Sequence, residues 1–246
     1  MNRLLSAELL KLRTTRALYI AVTVALAFAA ALPFIIGSMA GTGDVEELSV
    51  RSLLDLARAP VQLAGGAVLL IGLFASAGEY RHRTVLLTRL AAPHTGRLLL
   101  AKLGAVALVG AAVGVMIDLL TLGAGAVVLH QHDVRFSPGS NDVPRVLLLV
   151  PVVLALYAVF GLAVGAVVRS TAGAVGAVLV WAFVIEGVLP AVTGSPHLAD
   201  RLPSGAFKAL LHHGAAVPPA TAGALLAAYA VVLVAAAAVM ERRREL

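Results

Sequence analysis

The sequence predicts an all-α integral membrane protein with six transmembrane helices and both termini cytoplasmic. Three observations carry that reading. Six long apolar stretches, Ala17–Ala40, Ala59–Gly78, Leu98–Leu129, Arg145–Val168, Gly173–Thr193 and Ala220–Met240, fill most of the 246 residues. Each meets the roughly 20 apolar residues that one helical crossing needs. Hydrophobic residues make up 60% of the chain and charged residues 13%, whereas soluble domains carry about 25% charged residues. Finally, 13 of the 19 basic residues fall before crossing one, between crossings two and three or at the very start of three (Lys102), between four and five, or after six. An excess of Lys and Arg marks the cytoplasmic side. No polar block is long enough for a second domain, so residues 1–246 are read as one unit. The absence of cysteine excludes disulfides and thiolate metal sites. The net charge of +6 belongs to the inner side of a membrane and is no signal for nucleic acid.

Residues 2–16 precede the membrane. As a helix they place Leu4, Leu5, Leu9 and Leu12 on one face, which Arg3, Ser6 and Arg13 avoid. This pattern predicts an interfacial helix on the inner leaflet. Glu8 falls inside the leucine face, and either pairs with Lys11 three residues on or meets a protein partner. The apolar run that follows is about 24 residues, against the 7–15 of a signal-peptide core, so it reads as a retained first crossing.

Residues 41–58 read as a short outer loop with a small helix over Val45–Ala57. Residues 79–97 form the longest inner loop. Residues 130–144 form a second outer loop rich in turn formers. Arg169-Ser170-Thr171 is a tight inner turn. Segment 194–219 holds four prolines around a mildly apolar middle, Ala206–Leu211, too short to cross. It reads as a re-entrant outer element, which needs protein or water around its irregular backbone.

Recognisable catalytic chemistry is missing: the chain has no phosphate loop, no H-E-x-x-H and no G-x-S-x-G. It is therefore not expected to be an enzyme. Asp118 in the third crossing and Glu186 in the fifth are costly charges inside a membrane. They either line a polar vestibule, neutralise a cationic substrate or hold a proton, or else are buried neutral carboxyls bonded to backbone. His130, His132 and Asp133 form an H-x-H-D cluster, and His212 and His213 lie in the last outer loop. Their spacing is generic and supplies no closed ligand set, so no metal is expected. Gly37/Gly41, Gly110/Gly114 and Gly161/Gly165 match the small-residue pattern of close helix packing.

The most specific signal is the inner loop from Glu79 to Arg97. Thr84 can cap a short helix and Pro93 stops it. About two turns remain, carrying Val85, Leu86, Leu87 and Leu90 among basic residues. A short capped helix with exposed leucines fits a groove in another protein.

At these residues the chain resembles the ABC-2 type permeases, the membrane subunits of ATP-binding-cassette exporters. Three blocks carry the resemblance: Ala7-Glu8 with Lys11 to Arg16; Glu79, Thr84, Pro93, Arg97 and Lys102; and Gly161 to Gly165 followed by Arg169-Ser170-Thr171-Ala172. One departure is Arg83, where the family often has glycine. The resemblance implies that Glu79, Arg83, Thr84, Leu87, Leu90, Pro93 and Arg97 couple to a separate cytoplasmic ATPase. It makes Glu8, Lys11, Arg13 and Arg16 part of a connecting helix. It further implies a second permease subunit, identical or not. ATP and Mg would be bound by the ATPase, with no cofactor in this chain, in a bacterial plasma membrane. The cargo class suggested by apolar walls is an amphipathic drug, peptide or lipid. The rival expectations are an ion-coupled carrier that needs no ATPase, and a membrane enzyme or sensor-like immunity protein.

Overall fold

A computed structural model describes residues 2–13, 16–39, 50–81, 95–132, 142–194, 196–211 and 217–242. Every regular element among them is helical. They are α1 (Asn2–Arg13), α2 (Arg16–Met39), α3 (Val50–Arg81), α4 (Thr95–Gln131), α5 (Asp142–Val168) and α6 (Thr171–Val180). A π-helical stretch (Trp181–Val188) continues α6, followed by α7 (Leu189–Thr193), α8 (Pro196–Arg201), α9 (Pro203–Leu211) and α10 (Pro219–Arg242). Five spans are long and apolar enough to cross a membrane: Val61–Glu79, Gly96–Gln131, Val143–Val168, Thr171–Thr193 and Pro219–Met240. The protein thus has the character of a multi-pass membrane protein. The first apolar stretch forms α2, which holds a shorter apolar run, Val22–Ile35.

Several boundaries differ from the sequence expectation, always by helix extension. The 32-residue α3 already starts at Val50, so residues 50–57 are part of a long helix and not a separate small one. Residues 79–81 end α3, and Thr95–Arg97 begin α4, so the connection read over 79–97 is shorter than that. The 37-residue α4 is about 55 Å long at 1.5 Å per residue. That exceeds a 30 Å hydrocarbon core, so its ends project beyond it. The stretch read as a small helix over Val45–Ala57 lies outside the described residues up to position 49, as do Gly41, Asp133, His212 and His213.

At the centre of the bundle is α5. It packs on α3 most extensively, then on α4, and on α10 along another side. Glycine makes these contacts possible. A side chain at Gly161 would collide with the Leu69 carbonyl, one at Gly165 would meet the Leu73 backbone, and one at Gly72 would collide with the Ala158 carbonyl. Gly110 and Gly114 of α4 bring that helix equally close to Leu154 and Pro151. The helices touch backbone to backbone, which maximises dispersion contact where lipid supplies no hydrophobic drive. Two of the three predicted glycine pairs are therefore spent inside the chain; Gly37 of the third faces Val128 of α4.

The turn expected at 169–171 is present. Arg169 adopts a left-handed conformation, φ 58°, a costly state for a residue with a side chain. The Ser170 hydroxyl caps α6 by accepting from the Gly173 N–H at 3.3 Å. The fifth stretch then leaves the bundle: Ala174 packs on Leu73 and Ala77, but nothing is buried from Val175 to Gly194. Segment 196–211 is a pair of short helices, the second of which lies against α5 and α10. Phe207 stacks on Tyr157 with ring centroids 3.9 Å apart, and Arg145 donates to the Leu210 carbonyl at 3.3 Å.

Gly161→Val is expected to cost more than about 3 kcal/mol, because overpacking here displaces backbone rather than a flexible side chain. Gly66→Ala faces open space and is expected to be neutral or stabilising by up to about 1 kcal/mol. Thermal unfolding in detergent, read by tryptophan fluorescence, compares the two.

Candidate functional site

Two of the blocks that carry the sequence resemblance meet in space. Glu8 and Lys11 lie on α1, Glu79 in the last turn of α3, and Lys102 in the second turn of α4. The Lys11 ammonium donates to Glu8 Oε1 at 2.8 Å and to Glu79 Oε1 at 3.0 Å. Lys102 Nζ lies 2.5 Å from Glu79 Oε1 and 3.6 Å from Glu8 Oε2. These are charge contacts without the alignment of a directed hydrogen bond. Among the described residues the cluster holds two cations and two carboxylates. The Lys102, Glu8 and Glu79 side chains are only 7%, 8% and 15% exposed, while Lys11 is 47% exposed.

The local reasons are simple. Glu8 and Lys11 are three residues apart and share a helix face. The leucine stripe seats that face on protein: Leu12 is buried, and Leu5 and Leu9 pack on the core. α1 is thus docked along α4, which gives the predicted interfacial helix a protein bed. The pairing of Glu8 with Lys11 is present, and Glu8 additionally reaches another helix. Burial opposes the Lys11 charge, but the hydrogen bonds and charges of Glu8 and Glu79 outweigh it, so its pKa is raised.

The remaining candidate residues are placed as follows. Arg83, Thr84, Leu87, Leu90 and Pro93 lie outside the described residues. Arg97 is exposed in the first turn of α4, Arg13 accepts the Tyr19 hydroxyl on its carbonyl at 2.6 Å, and Arg16 opens α2. Glu186 sits in the π-helical stretch. Its Oε1 accepts from the Trp181 indole at 2.7 Å and from the Ser204 amide at 3.3 Å. The five-residue spacing of Trp181 and Glu186 is the hydrogen-bond step of a π-helix, and the Ser204 amide belongs to the N-terminal turn of α9, where a carboxylate is favoured. Glu186 therefore ties the fifth stretch to the α8–α9 pair. Asp118 is 2% exposed, and its Oδ2 has no hydrogen-bond partner. The two intramembrane carboxyls are not in one site.

His132 Nε2 is 3.2 Å from the Gly37 carbonyl, a local tie between α2 and α4. Among the described residues no group of three or more His, Cys, Asp or Glu is placed to hold a metal. Arg169, from the third resemblance block, reaches the Met240 carbonyl at 2.6 Å and the Ala166 carbonyl at 3.4 Å. It closes the end of α10 onto the α5–α6 turn, where a cation suits a helix C-terminus. Sequence reasoning missed the π-helical pairing and this clamp. The role of Lys102 had a signal, as the lone charge between Leu98 and Ile117.

The chain matches no known family model and no curated protein.

Replacing Lys102 by Met removes the more buried cation of the cluster, and replacing Glu79 by Gln removes the carboxylate nearest to it, while Lys11 and Glu8 keep their pairing. Each change is expected to destabilise the fold by about 1–3 kcal/mol. The double variant is expected to lose much less than the sum, read in a double-mutant cycle of thermal unfolding. The Lys11 contacts have a defined pH window. Its folded-state pKa lies above the ordinary 10.5, so the contribution is fully present below that value and is lost as pH rises through the folded pKa. Protease sensitivity of α1 is expected to stay flat through neutral pH and rise only in strong alkali.

Proposed function

We propose that the chain is the membrane-spanning permease subunit of an ATP-driven exporter. α2 is its sixth crossing, both termini are cytoplasmic, and a separate ATPase binds ATP and Mg. A second permease subunit completes the pathway, and the complex sits in a bacterial plasma membrane. The observation that carries the reading is the ion cluster. It binds α1 to the last turn of α3 and the second turn of α4, the two helix ends that frame segment 82–94. A force applied to that segment is transmitted to three helices as one body, because parting them would expose unpaired charge in an apolar surround. The leucine-bearing segment is the contact for the ATPase, consistent with a chain that has no phosphate loop of its own. The apolar lining of such a subunit suits amphipathic drugs, peptides or lipids.

The chain has no cysteine, so Leu87→Cys is a single reporter. A membrane-impermeant maleimide is expected to label it in inside-out vesicles and not in intact cells. Co-expression with the ATPase from a neighbouring reading frame is expected to protect it. In that complex, Glu79→Gln is expected to retain ATP hydrolysis and lose its coupling to transport. Labelling from outside intact cells removes the reading.

A further inference from the structure

A second polar feature lies deep in the bundle, far from the ion cluster. Pro33 stands inside α2. Proline has no N–H, so the carbonyl four residues earlier, that of Ala29, loses its helical partner. Across the α2–α4 contact the Thr121 hydroxyl faces this carbonyl at 3.5 Å, both groups being buried. That is long for an O–H···O bond, which favours 2.5–3.0 Å. The carbonyl is thus poorly served. One helical turn along α4 from Thr121, on the same face, is Asp118, 2% exposed with an unpartnered Oδ2.

We propose that Asp118 is a membrane-embedded proton-binding site, its carboxyl carrying the proton at neutral pH beside the backbone opened by Pro33. A buried carboxylate needs a cation or several N–H donors, since an unpaired charge in a low dielectric is prohibitive. Neither is at hand. Asp118 is sixteen residues from Lys102, about 24 Å along α4. The charged and titratable side chains described on the elements packed around α4 are engaged elsewhere. Glu8, Lys11 and Glu79 are in the cluster, Tyr19 bonds the Arg13 carbonyl, Arg145 bonds the Leu210 carbonyl, Tyr157 stacks on Phe207, and Tyr229 bonds the Arg201 carbonyl. A neutral acid solves both problems: it removes the charge and supplies the O–H that an opened helix lacks. Sodium fits less well. The described buried polar side chains other than Asp118 and Thr121 are Glu8, Ser76 and Lys102 at the cluster end, and one carboxylate, one hydroxyl and one carbonyl replace too little of a hydration shell. Proton occupancy is linked to the position of α2 against α4, because movement of the proline-bearing helix changes the access of water to the carboxyl. The site is independent of the exporter reading.

Infrared spectroscopy of the full chain in lipid nanodiscs tests the proposal. At neutral pH the wild type is expected to show the C=O stretch of a protonated carboxylic acid, exchanging slowly in D2O. The band is expected to shift when aspartate alone is carbon-13 labelled. It should be lost in Asp118→Asn and kept in Glu186→Gln. Pro33→Ala, which gives Ala29 back its N–H, is expected to shift the band's frequency. The labelling arm uses the wild type, so it decides even if a variant fails to fold. A missing band, a band unmoved by aspartate labelling, or one that survives Asp118→Asn overturns the proposal. So does a frequency unmoved by Pro33→Ala. Loss of the band when sodium replaces choline at fixed pH overturns it in favour of a sodium site.

Discussion

Charge placed in an apolar bundle must be neutralised where it sits, and this constraint decides how the helix ends are arranged. Glu8, Glu79 and Lys102 are all largely withdrawn from water. None is tolerable alone, since breaking a buried pair by removing one partner costs several kcal/mol. Together with the half-exposed Lys11 they form, among the described residues, a cluster of two positive and two negative groups. The set is satisfied only when α1, the end of α3 and the start of α4 lie against one another. An apolar core of the same volume would hold the helices as well, and often better. What the charged set adds is register, because the contacts fail if any of the three helices slides by a turn.

Above that end the fold is held by the opposite device, the absence of side chains. Gly72, Gly161 and Gly165 let α3 and α5 meet at backbone distance, and Gly110 and Gly114 do the same for α4 and α5. Contact of this kind is stiff. The α3–α4–α5 group is thus joined by backbone contact, and α1 is fastened to its charged end. By contrast, the fifth stretch packs on this group through Ala174, Val175 and Val178, while Glu186 fastens its far part to the α8–α9 pair. The two carboxyls that stand out in the apolar stretches thus do different work. Glu186 is a structural acceptor for an indole and a helix amide, whereas Asp118 has no such partner.

How much of this was legible beforehand follows from the range of each interaction. The apolar stretches are sums over about twenty residues, so their helical, membrane-spanning character survives local error. The Glu8–Lys11 pair is local, and the i,i+3 rule found it. The Arg169–Thr171 turn was likewise visible as a polar break. Helix ends were less legible: α3 runs back to Val50 and α4 starts at Thr95, because helix continues past the apolar segment wherever no breaker stops it. The π-helical pairing of Trp181 with Glu186 and the clamp of Arg169 on Met240 left no periodic trace. They rest on one residue finding another at a spacing or distance that pattern reasoning does not weigh.

Composition and hydrophobic length by themselves determined an all-helical, membrane-type chain. Both quantities are additive along the chain. Only the tertiary structure decided which charges neutralise one another, which glycines are consumed in packing, and which carboxyl is left without a partner. Lys102 and Glu79 are 23 residues apart in sequence and 2.5 Å apart in space. Such a contact exists because two antiparallel helices return to the same level of the bundle, which no single segment encodes.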